Sequence, residues 1–202
     1  MRVQRFSLLA ALIGCVATHG SVLAAEASET TKLHPAVEKN TGRFEVEHIE
    51  YVTDRTVDEV AYALESATGD VTNGRYEREI ASAKDKGDFE VRARAFEADS
   101  GFMRFLALDF GGFLSLMGPP TKVRQYTIGN PLIAFTMLKY DVQAALDVPV
   151  RLIIYQGKDG RTRIGYDRPS SLMSRIGDAD LMVAARKLDE KLAALVERAA
   201  AP

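Results

Sequence analysis

Apolar and polar residues alternate along Phe44-Glu45-Val46-Glu47-His48-Ile49-Glu50-Tyr51, the period of a half-buried strand. The period then lengthens. Val57, Val60, Ala61, Leu64 and Ala67 recur at helical spacing, Thr56 and Glu59 predict a capping box at the start, and Gly69 supplies a stop. Residues 75–86 are charged and weakly apolar and predict a solvated helix. Phe89 to Phe96 fits both a strand (Phe89, Val91, Ala93, Ala95) and a helix (Phe89, Ala93, Phe96). The neighbouring Arg92, Arg94 and Glu97 favour the helix, with Asp88 as its cap. Phe102 to Asp109 is an apolar run suited to a central strand, and residues 111–120 form a short apolar segment ended by a turn. Arg124 to Gly129 predicts another strand. Asn130-Pro131 predicts a helix start, since Asn caps and Pro fits the first turn.

The remaining pattern fixes the fold class. Val150 to Gln156 predicts a strand, Asp159-Gly160 a hairpin turn, and Thr162, Ile164 and Tyr166 one face of the returning strand. Asp178 caps a final helix whose stripe is Leu181, Ala184, Ala185, Leu188, Leu192, Leu195 and Ala199. Strands and helices interleave, but the hairpin makes part of the sheet antiparallel. The expectation is an α+β fold: one two-layer domain over residues 44–200, with a mixed, partly antiparallel sheet packed on helices. No internal repeat and no Gly-rich phosphate loop accompany it.

The first residues change the setting. Arg2 and Arg5 precede an apolar run from Phe6 to Ala17, and Val22-Leu23-Ala24 offers small residues where a signal peptidase reads. The run is shorter than the roughly 20 apolar residues of a membrane-spanning helix. Residues 1–24 are therefore expected to be a signal peptide cleaved after Ala24. Residues 25–43 follow as a flexible lead, and the mature protein is periplasmic without a transmembrane helix. Leu12-Ile13-Gly14-Cys15 resembles a bacterial lipobox and gives the competing reading, a lipoprotein anchored through Cys15. Cys15 is the only cysteine, so a chain cleaved after Ala24 has no disulfide, thiol nucleophile or thiolate metal site. The net charge of −2 becomes more negative once the two leader arginines leave, a poor basis for nucleic-acid binding.

Several segments resemble a known family. Tyr126-Thr127-Ile128-Gly129-Asn130-Pro131, Ala144-Ala145-Leu146-Asp147-Val148-Pro149-Val150, Tyr155, Asp159-Gly160 and Tyr166-Asp167-Arg168-Pro169 are similar to the family called domain of unknown function 302. Leu106-Ala107-Leu108-Asp109 also matches, and the resemblance covers roughly residues 44–176. It implies a compact α+β domain that commonly pairs as a homodimer, and it implies no established activity. Two features depart from the pattern. Phe110 stands where many members carry His, and a long charged insertion precedes the strand ending at Asp109.

Candidate chemistry is sparse. His34 falls in the lead and His48 on the polar face of the first strand, so no Ser-His-Asp site assembles around Ser115, Ser170 or Ser171. Nothing requires a metal or cofactor. Gly129-Asn130-Pro131 is the best local candidate, because a helix start offers free N–H groups to an anion. Arg124 before it adds charge, Asp109 ends a neighbouring strand, and Tyr166 with Asp167 follows the hairpin. These six residues, Asp109, Arg124, Gly129, Asn130, Tyr166 and Asp167, make the expected ligand site, for a small anion. The structural alternatives are a tight turn at Gly129, a cap at Asn130 and packed tyrosines. The basic hairpin (Arg151, Lys158, Arg161, Arg163, Arg168) reads as a solvated face. The first functional reading is a small-ligand or partner-binding module rather than an enzyme. The alternatives are an enzyme using Asp109 or Asp167 as acid or base, and an envelope lipoprotein with a scaffolding role.

Overall fold

A computed structural model describes residues 37–202, and Thr41–Pro202 form a unit of their own. The leader, Cys15 and His34 lie outside the described residues. Six strands form one mixed sheet: β1 (His48–Thr53), β2 (Gly69–Asp70), β3 (Met103–Asp109), β4 (Val123–Gly129), β5 (Val150–Gln156) and β6 (Thr162–Asp167), in the order β1-β6-β5-β4-β3-β2. All neighbours are antiparallel except β2 and β3. The helices are α1 (Val57–Ala67), α2 (Arg75–Ala81), α3 (Lys86–Arg94), α4 (Phe110–Leu114), α5 (Pro131–Leu138), α6 (Pro169–Met173) and α7 (Ala179–Ala200). The expected α+β class is the observed one.

Local sequence chemistry sets most helix ends. Thr56 Oγ1 accepts the Glu59 N–H at 3.2 Å while Glu59 Oε2 accepts the Thr56 N–H at 2.8 Å, closing the capping box of α1. Asp178 caps α7 through the Leu181 N–H at 2.7 Å. The far end of α7 is held by Arg55, which donates to the carbonyls of Ala199 and Ala201 at 2.9 and 2.8 Å. A cation there meets the negative end of the helix dipole. The main core lies between α1, α5 and α7 and one sheet face, where Leu64, Tyr126, Leu152, Ile164, Leu188 and Leu192 are buried. A smaller cluster joins α2 and α3 to Met103, with Tyr76 edge-on to Phe96 and Phe105.

Four expectations need correction. The first strand begins at His48, not Phe44, and Phe44 and Val46 are exposed. Its partner β6 ends at Asp167 opposite His48; one further backbone bond, from the Arg168 N–H to the Glu47 carbonyl at 2.8 Å, closes the ladder before Pro169 starts α6. Gly69 is not a left-handed helix stop. It opens β2, and a Cβ there would collide with the Phe96 carbonyl, so glycine answers a close backbone approach. Asp85 caps α3, since the Asp88 N–H donates to it, while Asp88 itself pairs with Arg92 at 2.8 Å. Finally β3 is no central strand. Its outer neighbour β2 has two residues, so β3 is unpaired on that side beyond Arg104, and Leu106 is exposed. An apolar run reports burial of some of its residues, and here Phe102 and Met103 supply the buried end.

The Asp147-Val148-Pro149 segment is locked from beneath. Asp147 Oδ2 accepts from Arg175 Nη1 at 2.7 Å, with the two side chains only 7% and 20% exposed. Arg175 also donates to the carbonyls of Leu172 and Gln143. Removing one member of such a pair leaves a buried charge without its partner. Asp147→Ala is expected to cost about 3 kcal/mol in urea denaturation. Asp147→Ala combined with Arg175→Met should cost less than the two single losses added. A loss below about 1 kcal/mol for Asp147→Ala would show that the pair is not structural.

Candidate functional site

The six expected residues fall into three places. Asp109 faces Arg124 across β3 and β4, whereas Gly129 lies opposite Met103 at the other end of the same pair. The antiparallel register therefore separates Asp109 from Asn130 by the length of the strands. Asp109 serves as the cap of α4, accepting the Gly112 N–H at 3.1 Å. Arg124 turns to α1, where Asp58 Oδ1 lies 2.9 Å from its Nη2 and Glu65 Oε1 3.8 Å from its Nη1. Next to it, the buried Tyr126 hydroxyl donates to Glu65 at 2.7 Å, and burial pushes this phenol far up.

Tyr166 and Asp167 share an end of the sheet with Gly129 but point to opposite faces. Tyr166 is buried against α7 and stacks on Tyr51, ring centroids 6.4 Å apart. It lines a polar cavity of about 340 Å³ with Arg168, Arg186 and Asp189. Burial raises the Tyr166 phenol strongly, and it also raises the Asp189 carboxyl against the opposing Ser170 N–H bond. Asp167 looks outward, and its Oδ1 lies 2.8 Å from His48 Nδ1. Neither residue lines the cavities at Asn130. Three of the five basic residues of the hairpin are paired: Arg163 with Glu50 of β1 and Asp159 of the turn, Arg161 with Asp54, and Arg168 with Glu47.

The site therefore centres on Gly129-Asn130-Pro131 with partners the sequence did not point to. Asn130 is 6% exposed, and its side chain is fully committed. Its Oδ1 accepts the Leu132 N–H at 2.8 Å, capping α5, and its Nδ2 donates to Glu97 Oε1 and the Gly101 carbonyl, both at 2.7 Å. The expected cap at Asn130 is present, and its amide nitrogen also clamps α5 onto the loop before β3. Gly129 is not a turn glycine either. A Cβ there would stand 3.0 Å from the Pro149 Cβ, so its role is to let the two chain segments touch.

Two adjoining cavities meet at this clamp, sharing Asn130, Ile133 and Leu188 in their walls. The inner one, about 200 Å³, is lined by apolar side chains including Phe102, Ile128, Met137 and Pro149. The outer one, about 530 Å³, carries Arg94, Lys139, Lys187 and Lys191 against Glu97 and Asp180. Among the described residues none of these four cations has a carboxylate within ion-pair distance. Lys139 lies instead over the Tyr140 ring, 4.6 Å from its centroid. Lys187 and Lys191 sit one turn apart on α7, flanking Leu188 of the core stripe. That spacing was the available sequence signal for half of the cationic rim. Arg94 and Lys139 reach it from α3 and the end of α5, which only the tertiary fold brings near. Among the described residues no group of three or more His, Cys, Asp or Glu side chains forms a metal site.

Comparison with known proteins places the chain. Residues 79–199 match the profile of the family described as domain of unknown function DUF302. A solved structure of an uncharacterised conserved DUF302 protein from Bacillus stearothermophilus superposes with a TM-score of 0.54. It is 20% identical, over 75% of this chain and 96% of that chain, a likeness of fold. No curated protein matches the chain significantly.

The Asn130 clamp makes a mutational prediction. Asn130→Ala loses the cap, about 1 kcal/mol, and strands polar partners, about 1 kcal/mol more. Asn130→Asp keeps the cap but sets a carboxylate against Glu97 and the Gly101 carbonyl. It should be the less stable of the two at neutral pH in urea denaturation. Equal stability of Asn130→Asp and wild type would contradict the assigned hydrogen bonds.

Proposed function

The chain belongs to the DUF302 family, and from the geometry at Asn130 we propose that it is a binding module for a small anionic ligand. The observation that carries the reading is the rim of four cations without carboxylate partners around the outer cavity. Like charges held near one another repel, and a bound anion relieves that repulsion. The chain as a whole is acidic, and in its other basic cluster, on the hairpin, Arg161, Arg163 and Arg168 are ion-paired. Asp109 and Asp167 lie at opposite ends of the sheet, one a helix cap and one paired with His48, which favours binding over acid–base catalysis.

Inorganic phosphate is a suitable first probe. It should raise the melting temperature at low ionic strength, and the effect should shrink with added salt. Lys187→Glu with Lys191→Glu should weaken phosphate binding about tenfold or more, as reversed charges near the site act on the order of 1 kcal/mol each. Unchanged phosphate affinity in that variant overturns the reading.

The same proposal extends to setting and assembly. We take the protein to be exported to the periplasm with cleavage after Ala24, the lipobox at Cys15 giving the membrane-anchored alternative. A homodimer is supported by exposed apolar residues on and beyond α4, where Phe113, Leu116 and Met117 are 61%, 84% and 90% exposed. Among the described residues no helix is long and apolar enough to cross a membrane. Native mass spectrometry of a periplasmic extract tests both points together, with a dimer of chains starting at Ala25 expected. A monomer at micromolar concentration contradicts the assembly, and a lipid-modified Cys15 start contradicts the soluble form.

A further inference from the structure

We propose that the ligand is an amphipathic anion: a short- to medium-chain monocarboxylate whose hydrocarbon body fills the apolar chamber while its carboxylate stays at the lysine rim. This rests on the anion-binding reading and names its ligand class.

Three observations converge. The first is adjacency, since the chamber and the cationic cavity share Asn130, Ile133 and Leu188 in their walls. A ligand held at Lys187 shares its cavity with Ile133 and Leu188, which also line the apolar chamber. The second is the lack of free polar groups in the chamber. Asn130 is the polar side chain in its wall, and its Oδ1 and Nδ2 are already bonded to Leu132, Glu97 and Gly101. A hydroxyl or amide entering there would lose its water and gain no partner, whereas a methylene chain loses nothing. The polar end is thereby kept out of the apolar chamber, and the adjoining cavity offers it Lys187 and Lys191. The third is size. A cavity of about 150 Å³ takes a benzene-sized group, so the observed 200 Å³ suits one short chain of roughly six to eight carbons. The two long chains of a diacyl lipid do not fit, which points to a soluble monoacyl anion rather than a membrane headgroup.

The chain length of the ligand should therefore govern affinity. Calorimetric titration of the full-length exported protein with acetate, butanoate, hexanoate, octanoate and dodecanoate reads it directly. Each added methylene should strengthen binding about fourfold up to the capacity of the chamber, and the gain should stop by dodecanoate. Octanol, with the tail and no charge, should bind more weakly than octanoate. It should be indifferent to Lys187→Glu with Lys191→Glu, which weakens octanoate. Ala134→Phe, which puts a ring into the chamber wall, should bring octanoate down to acetate while phosphate binding persists. The wild-type series decides the matter even if that variant fails to fold. If phosphate binds but octanoate is no tighter than acetate, the hydrocarbon inference falls and the anion reading stands. If phosphate and acetate both fail to bind while octanol binds, the anion reading itself falls. A chain-length gain that survives in folded Ala134→Phe puts the tail elsewhere and overturns the proposal.

Discussion

One buried amide holds the region around Gly129-Asn130-Pro131 together. Asn130 caps α5 through Leu132 and ties that helix to the Glu97–Gly101 loop through two further hydrogen bonds. A lone helix of eight residues is marginal in water, so α5 depends on such anchoring and on the apolar wall behind it. The wall is continuous with the main core through Ile128, Met137 and Leu188. Because α5 roofs the inner cavity and borders the outer one, the shape of both follows from where this amide fixes it. The polar demands of Asn130 are met internally, and that leaves the inner cavity without a free polar side-chain group.

Three arginines on and beside the hairpin are arranged in the opposite way. On the hairpin and β1, each of Arg161, Arg163 and Arg168 finds a carboxylate, and the Asp159 carboxyl is held far below its usual range by Arg163. Exposed pairs of this kind contribute little stability, but they neutralise the face that carries them. Around the outer cavity the same residue types stand unpaired, with Glu97 diverted to Asn130. On the proposed reading, these cations in a concavity direct anions to it.

The sequence made the local features legible and left the long-range ones hidden. Caps at Thr56, Asn130 and Asp178, the Asp159-Gly160 hairpin and the stripe of α7 all depend on residues within a turn of each other, and each is present. Strand order is not local. Nothing in Leu106-Ala107-Leu108-Asp109 says that its outer neighbour is two residues long, or that antiparallel pairing carries Asp109 away from Asn130. The helix start at Gly129-Asn130-Pro131, where the candidate site lies, was readable. The site's cations were not, since Arg94, Lys139, Lys187 and Lys191 come from three helices and share no sequence motif. The close approach of Gly129 to Pro149 joins two motif segments twenty residues apart, and only the packed structure gives its reason.

The central claim is that one ligand occupies both cavities, with charge outside and hydrocarbon inside. Methyl NMR on the protein labelled at Met and Ile tests it most directly, because Met137 and Ile133 line the chamber and Met173 belongs to the main core away from both cavities. Octanoate should shift the Met137 and Ile133 methyl signals and leave Met173 in place, and phosphate should leave the Met137 methyl signal unmoved. Octanoate binding with no change at Met137, or with its largest shifts at Met173, would contradict the account.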